Sequence, residues 1–144
     1  MYDDVLVPTD GSSGTGETLD HALSIARDND ATVHAVYVVD QRQYRAAESD
    51  AKEEVVRSLE TEGERALENV RVRVEETGLD LETELAEGIP NREIAACVES
   101  AGIDLVAMGT HGPTGRDRVA TLGSVTERVL KNVDVPVLVV DIGE

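Results

Sequence analysis

Aromatic side chains are almost missing from this sequence. It has no tryptophan and no phenylalanine, and its tyrosines are Tyr2, Tyr37 and Tyr44. A core must therefore be assembled from Val, Leu, Ile and Ala, which argues against modules that stack bases on aromatic platforms. Cysteine is equally scarce. Cys97 stands alone, which forbids an intramolecular disulfide and any cysteine-built zinc cage. Its spacing from Ile94 in Ile94-Ala95-Ala96-Cys97-Val98 predicts a buried small side chain rather than a reactive thiol. Lysine is reduced to Lys52 and Lys131, and 13 Lys and Arg face 30 Asp and Glu, a formal net charge of −17. Such a surface repels nucleic acid and anionic membranes, so neither is expected as a partner. An acid-rich, lysine-poor composition suits a protein kept in solution by concentrated salt, which screens the self-repulsion; a halophilic, salt-rich cytoplasm is the expectation. No apolar stretch approaches the roughly 18 residues of a membrane span. Met1-Tyr2-Asp3-Asp4 carries no basic leader region, so a cytoplasmic protein without signal peptide is expected.

What is present is enough for one compact unit. A chain of 144 residues with 40% hydrophobic side chains predicts a single domain spanning 1–144, with a core that needs no disulfide or metal. The apolar runs are short, β-branched and evenly spaced: Val5–Val7, Ala31–Val39, Leu105–Met108 and Val135–Val140. Runs this continuous read as strands covered on both faces. Leu81–Ala86 alternates instead, and reads as half exposed. Helical periodicity fills the gaps: Leu19, Ala22, Leu23 and Ala26; then Val55, Leu59, Leu67, Val70 and Val74 over roughly 46–77; then Ile94, Cys97 and Val98 within 91–100; then Leu122, Val125, Thr126, Val129 and Leu130. Gly63 interrupts the long helix at a cost of about 1 kcal/mol relative to Ala. Gly78 is a plausible terminator and Pro90 a helix opener. The β-α alternation implies a doubly wound parallel sheet with helices on both faces. The polar stretch Asp40–Lys52 reads as a mobile loop.

In an open parallel sheet, ligands bind beyond the C-terminal strand ends, where the strand order reverses. Two such ends are chemically distinctive. One is Pro8-Thr9-Asp10-Gly11-Ser12-Ser13-Gly14. The other is Met108-Gly109-Thr110-His111-Gly112-Pro113-Thr114-Gly115, with Gly123-Ser124 opening a helix. Glycines let backbone amides approach a phosphate, and a helix N-terminus supplies unpaired donors and partial positive charge. No Gly-Lys-Ser/Thr is present, so this is not a standard P-loop, and glycines at 11, 14 and 16 do not match the dinucleotide fingerprint. No Walker lysine, evident base or dedicated metal carboxylate pair stands in the sequence, so no catalytic and no metal-binding residues are assigned. His111 is read as structuring its loop, His21 and His34 as packing residues, and Arg116 and Arg118 as a basic pair beside the expected phosphates or simply in solvent.

Three segments taken together carry a resemblance. Val5-Leu6-Val7-Pro8-Thr9-Asp10-Gly11-Ser12, then Leu105-Val106-Ala107-Met108-Gly109-Thr110-His111-Gly112, then Gly123-Ser124-Val125-Thr126-Glu127-Arg128-Val129-Leu130 followed by Val135–Val140, resemble the universal stress protein family and its ATP-binding branch over essentially the whole chain. The resemblance implies a five-stranded sheet of order 3-2-1-4-5, adenine nucleotide alpha hydrolase-like, and a homodimer formed by pairing Val135–Val140 of two copies. It also implies a regulatory switch or sensor that binds ATP, or AMP or ADP, with Mg²⁺ or Mn²⁺. Carried over by position, Pro8 and Thr9 line the nucleoside pocket and Asp10 accepts from ribose hydroxyls. Val38 contacts adenine, while Met108 and Gly109 flank ribose and α-phosphate. Gly112, Gly123, Ser124 and Val125 hold the phosphates. Plainer roles stand beside these: a turn or N-cap for Asp10, core packing for Val38, an N-cap for Ser124. The branch's Gly-x2-Gly-x9-Gly-Ser/Thr pattern is met with one departure, since ten residues separate Gly112 from Gly123. Two other functions stay open: a slow nucleotide hydrolase or nucleotidyl transferase, and a nucleotide-free interaction module.

Overall fold

The computed structural model describes residues 1–12, 14–110 and 122–141. Five strands and four helices alternate: β1 (Asp4–Pro8), α1 (Gly14–Asn29), β2 (Thr32–Asp40), α2 (Ser49–Glu75), β3 (Leu81–Gly88), α3 (Pro90–Ser100), β4 (Leu105–Gly109), α4 (Ser124–Asn132) and β5 (Val137–Val140). All described strand pairs are parallel, in the order β3-β2-β1-β4-β5. The fifth strand is shorter than the run Val135–Val140: Val135 and Pro136 lead into it, and Pro136 contributes only its carbonyl, to the Val106 amide at 3.0 Å.

The sheet separates two cores. Val5, Val7, Val33, Tyr37 and Val39 face α1 and α2, while Leu6, Val36, Val106 and Met108 face α3 and α4. Burial on both faces is why β1, β2 and β4 carry apolar runs, broken in β2 by the buried His34, while β3, on an edge, does not. The helix α2 lays Leu59, Ala66, Leu67, Val70 and Val74 along the first core. Gly63 belongs to the same seam, and a Cβ there would lie 2.6 Å from both Tyr37 and Leu85. The glycine thus permits a close helix–sheet approach rather than merely weakening the helix.

Two sequence expectations are corrected. The segment after β2 is not an open loop: Gln41–Gln43 forms a 3₁₀ turn capped by the Asp40 carboxylate, and Tyr44 is buried in the first core. There the Tyr44 hydroxyl donates to Glu87, and the Lys52 ammonium lies 5.7 Å from its ring centre. His21 is exposed on α1 and packs against nothing central, whereas His34 is buried and bonded to Asp4 at 2.9 Å.

The N-terminal pole of the central pair is clamped. The Asp104 carboxylate accepts the amides of Asp3 and Asp4 at 2.9 and 3.1 Å, and the Asp104 amide donates to the Asp4 carbonyl at 3.0 Å. From this clamp β1 and β4 run together only through Val5–Leu105 and Leu6–Val106. Each then continues on its outer partner, β1 to Pro8–Val36 and β4 to Gly109–Val140. The two strands therefore part toward their C-terminal ends, at the point where the strand order reverses.

Candidate functional site

The parting of β1 and β4 opens a crevice with two lips. The β1 lip is built by local polar chemistry. Thr9 follows the strand and is buried; its amide donates to Val36 at 2.8 Å. Its hydroxyl pairs with Thr15 on α1 at 3.2 Å and accepts the Gly11 amide at 3.2 Å. Asp10 is exposed, and its Oδ1 accepts the Ser12 amide at 2.9 Å, an Asx turn that steers the chain toward α1. Gly11 has φ of +81°, a conformation that favours glycine. The turn role for Asp10 is thus realised through one oxygen. Oδ2 has no hydrogen-bond partner among the described residues.

The β4 lip is the start of α4. Gly123 is its N-cap residue, with extended φ and ψ of −62° and 154°, and no side chain caps the helix. Ser124 is therefore the first helical residue and not the cap. The Gly123 amide is already engaged, donating to the Thr110 carbonyl at 2.7 Å, and Thr110 in turn donates its amide to Val140 at 3.0 Å. Thr126, buried, donates its hydroxyl to the Gly109 carbonyl at 2.9 Å. These bonds fix the helix start over the end of β4. The amides of Ser124, Val125 and Thr126 have no partner among the described residues, and neither has the Ser124 hydroxyl. Such first-turn donors at the positive end of a helix fit an anion.

Between the lips lies an apolar floor. Val38, half buried, and Val125 pack against the same cluster that holds Met108, which is 7% exposed. Pro8 ends β1 and is partly exposed, as is Gly109 at the end of β4. Of the residues singled out in the sequence, the structure brings Pro8, Thr9 and Asp10 to one side of the parting and Gly109, Gly123, Ser124 and Val125 to the other, with Val38 and Met108 in the cluster below. Gly112 lies outside the described residues, as do His111, Arg116 and Arg118. Sequence reasoning did not single out Thr15, Thr110 or Thr126 as the groups that hold the lips. The hydroxyl at Thr126, one turn from a Gly-Ser helix start, is the signal that was there to find.

A donor-rich helix start, a carboxylate with a spare oxygen and an apolar floor at the switch point of a 3-2-1-4-5 sheet define an α/β fold of the nucleotide-binding type. The comparisons agree with that class. The sequence profile of the universal stress protein family matches residues 1–141. Universal stress protein MJ0531 of Methanocaldococcus jannaschii is 43% identical over 141 residues, covering 97% of this chain and 82% of that protein. The solved structure of MJ0577 from the same organism superposes with a TM-score of 0.90 at 33% identity, over 98% of this chain and 96% of that one. The chain belongs to the universal stress protein family. Two solved structures alike in fold carry nucleotides: a universal stress protein in complex with cAMP (TM-score 0.74, 24% identity, 99% of each chain) and a family protein from Arabidopsis thaliana with AMP bound (TM-score 0.71, 20% identity, 96% of this chain and 91% of that one).

Proposed function

We propose that this protein is a single-domain regulatory switch that binds an adenine nucleotide, ATP in the first place, across the crevice between β1 and β4. The observation that carries the reading is the parting of these strands after Leu6 and Val106, with the amides of Ser124, Val125 and Thr126 on one lip and Oδ2 of Asp10 on the other, none of them with a partner among the described residues. In this reading the helix start holds phosphate, Asp10 accepts from ribose, Val38 and Pro8 hold the base, and Met108 and Gly109 lie under the ribose and α-phosphate. Gly123 shapes the cradle rather than donating to it, since its amide is spent on Thr110. The cAMP- and AMP-bound relatives support adenine as the base.

Charge sets the conditions. ATP carries about four negative charges, and the chain adds −17, so encounter is slow at low salt and quickens as salt shortens the Debye length to about 3 Å at 1 M. Mg²⁺ or Mn²⁺ bridging the phosphates offsets the repulsion further. No lysine and no general base is assigned to the site, so turnover is at most slow and the nucleotide acts as a signal. The protein works in a salt-rich cytoplasm as a homodimer. β5 is a sheet edge with Val137, Leu138 and Val139 only partly buried, a strand suited to pairing with its copy.

Equilibrium titration with ATP, ADP and AMP, each with and without Mg²⁺ or Mn²⁺ at two salt concentrations, tests the reading. Saturable binding of ATP strengthened by the metal is the expected result. Failure of all three to bind overturns it in favour of the nucleotide-free interaction module, the reading that the ten-residue glycine spacer favours.

A further inference from the structure

The two edges of the sheet are chemically unlike. β5 closes one side with Val137–Val140, a run without charge. β3 closes the other with Leu81-Glu82-Thr83-Glu84-Leu85-Ala86-Glu87-Gly88, of which Glu82, Thr83, Glu84 and Leu85 are exposed. Among the described residues no strand pairs with the outer side of β3. The register shows which backbone groups face outward. The Val33 amide donates to the Asp80 carbonyl at 2.9 Å, and Val33 stands opposite Leu81. Alternate residues of a strand bond a given neighbour, so Glu82, Glu84 and Ala86 turn their amides and carbonyls toward β2. Leu81, Thr83 and Leu85 turn theirs to the open edge. The side chains sort with the same period. Ala86 packs with the α3 and α4 core, which puts Glu82 and Glu84 on that face. Leu81 packs with the α1 and α2 core, which puts Thr83 and Leu85 on the other, where Leu85 lies beside Gly63 and is still 38% exposed. Glu87 is engaged by the Tyr44 hydroxyl, whereas Glu82 and Glu84 have no ion-pair partner among the described residues.

We propose that β3 is a docking edge for an extended segment of another protein in which basic and apolar residues alternate. Main-chain bonds to Thr83 and Leu85 extend the sheet by one strand. Lys or Arg on one face of the segment meets Glu82 and Glu84, and apolar side chains on the other face cover Leu85. The charges select this partner over a second copy. Two β3 strands laid side by side set Glu82 and Glu84 against the same pair, and like charges on adjacent strands repel. A copy therefore suits β5 and not β3. Glutamates on an edge strand also guard it against aggregation, and a guard alone would need no particular partner. The proposal does not rest on the nucleotide reading, since the crevice opens between β1 and β4.

The test uses the full chain and a short synthetic peptide of alternating Arg and Val, blocked at both ends. Its companions are the same peptide with N-methylated amides, which keeps the charges and removes the main-chain donors, and a peptide of alternating Glu and Val. The Arg-Val peptide is expected to bind saturably and to slow amide hydrogen exchange at Thr83 and Leu85. N-methylation is expected to weaken binding at least about tenfold. In the double variant Glu82→Lys with Glu84→Lys, both changes are on exposed side chains and the chain stays acidic overall. There the preference for the Arg-Val over the Glu-Val peptide is expected to fall about tenfold or further. A methylated peptide that binds as tightly as its parent, a preference unchanged in the double variant, or protection that falls away from β3 would reduce the effect to attraction by an acidic surface and overturn the proposal. So would a peptide that does not bind, which leaves the glutamates as a guard. Thr83 and Leu85 amides that become protected in the protein alone as its concentration rises would give the edge to a second copy and overturn it as well.

Discussion

The amide of Gly123 donates to the carbonyl of Thr110 at 2.7 Å, and this bond ties the start of α4 to the end of β4. It turns a helix N-terminus into one lip of a crevice. The next turn of the helix repeats the tie through Thr126, whose hydroxyl reaches the Gly109 carbonyl at 2.9 Å. The amides between these two anchors are the ones left for an anion.

Removing the second anchor without changing shape is the direct test of its role. Thr126→Val deletes a buried hydroxyl and leaves the Gly109 carbonyl without that partner, at a cost of about 1 kcal/mol. A drop of about 3 °C in Tm is expected for a chain of this size, with a larger relative loss in nucleotide affinity. An unchanged melting curve would show that the tie is idle.

Gly63→Ala sets two effects against each other. Helix propensity favours Ala by about 1 kcal/mol. The added Cβ, 2.6 Å from the Tyr37 and Leu85 side chains, forces α2 off the sheet, and overpacking of this kind costs about 1–3 kcal/mol. The variant is expected to melt lower than the wild type in denaturant titration. A stabilised variant would mean that the contact yields freely.

Tyrosine ionisation reports on the segment after β2. The hydrogen bond to Glu87 first, then burial and the Glu87 charge, push the Tyr44 phenol up to about 12. The folded state therefore holds this proton more tightly than the unfolded chain, whose tyrosine titrates near 10. The stabilisation is complete below pH about 10 and is lost as pH rises from there through about 12. Absorbance titration is expected to show two phenols ionising above the ordinary position, Tyr37 through burial and Tyr44 through its bond to Glu87, of which Tyr44 moves down in Glu87→Gln, where the charge is gone. A Tyr44 that ionises at the ordinary position would contradict the geometry.

Cys97 makes a kinetic prediction. Burial first, then the charge and hydrogen bonding of Glu84, raise its thiol to about 11. Against the ordinary 9.0 this lowers the thiolate fraction at pH 8 about 100-fold, which the greater nucleophilicity of a more basic thiolate offsets only in part, so a disulfide reagent is expected to react at least about tenfold more slowly than with the unfolded chain. Labelling at the unfolded rate would place Cys97 elsewhere.

The sheet was legible because its central strands are buried on both faces and so carry short runs rich in Val, Leu and Ala, while Leu81–Ala86 alternates and falls on an edge. The strand order came from family resemblance, and the register confirms it. The lips were legible as glycine-bearing strand ends. Their fastenings were not. Tyr44 is one apolar side chain among polar neighbours and gives no period. The Asp104 clamp joins residues about a hundred positions apart. Gly63 carried the signature of a weak helix position, and only the packed sheet beneath it reveals a close contact.

Denaturing the purified protein and identifying what it releases puts the central claim to the test. The account predicts close to one adenine nucleotide per chain from the wild type, with the yield falling sharply in Asp10→Ala and in Gly123→Val. A wild type that releases none, or variants that release as much as the wild type, would contradict it.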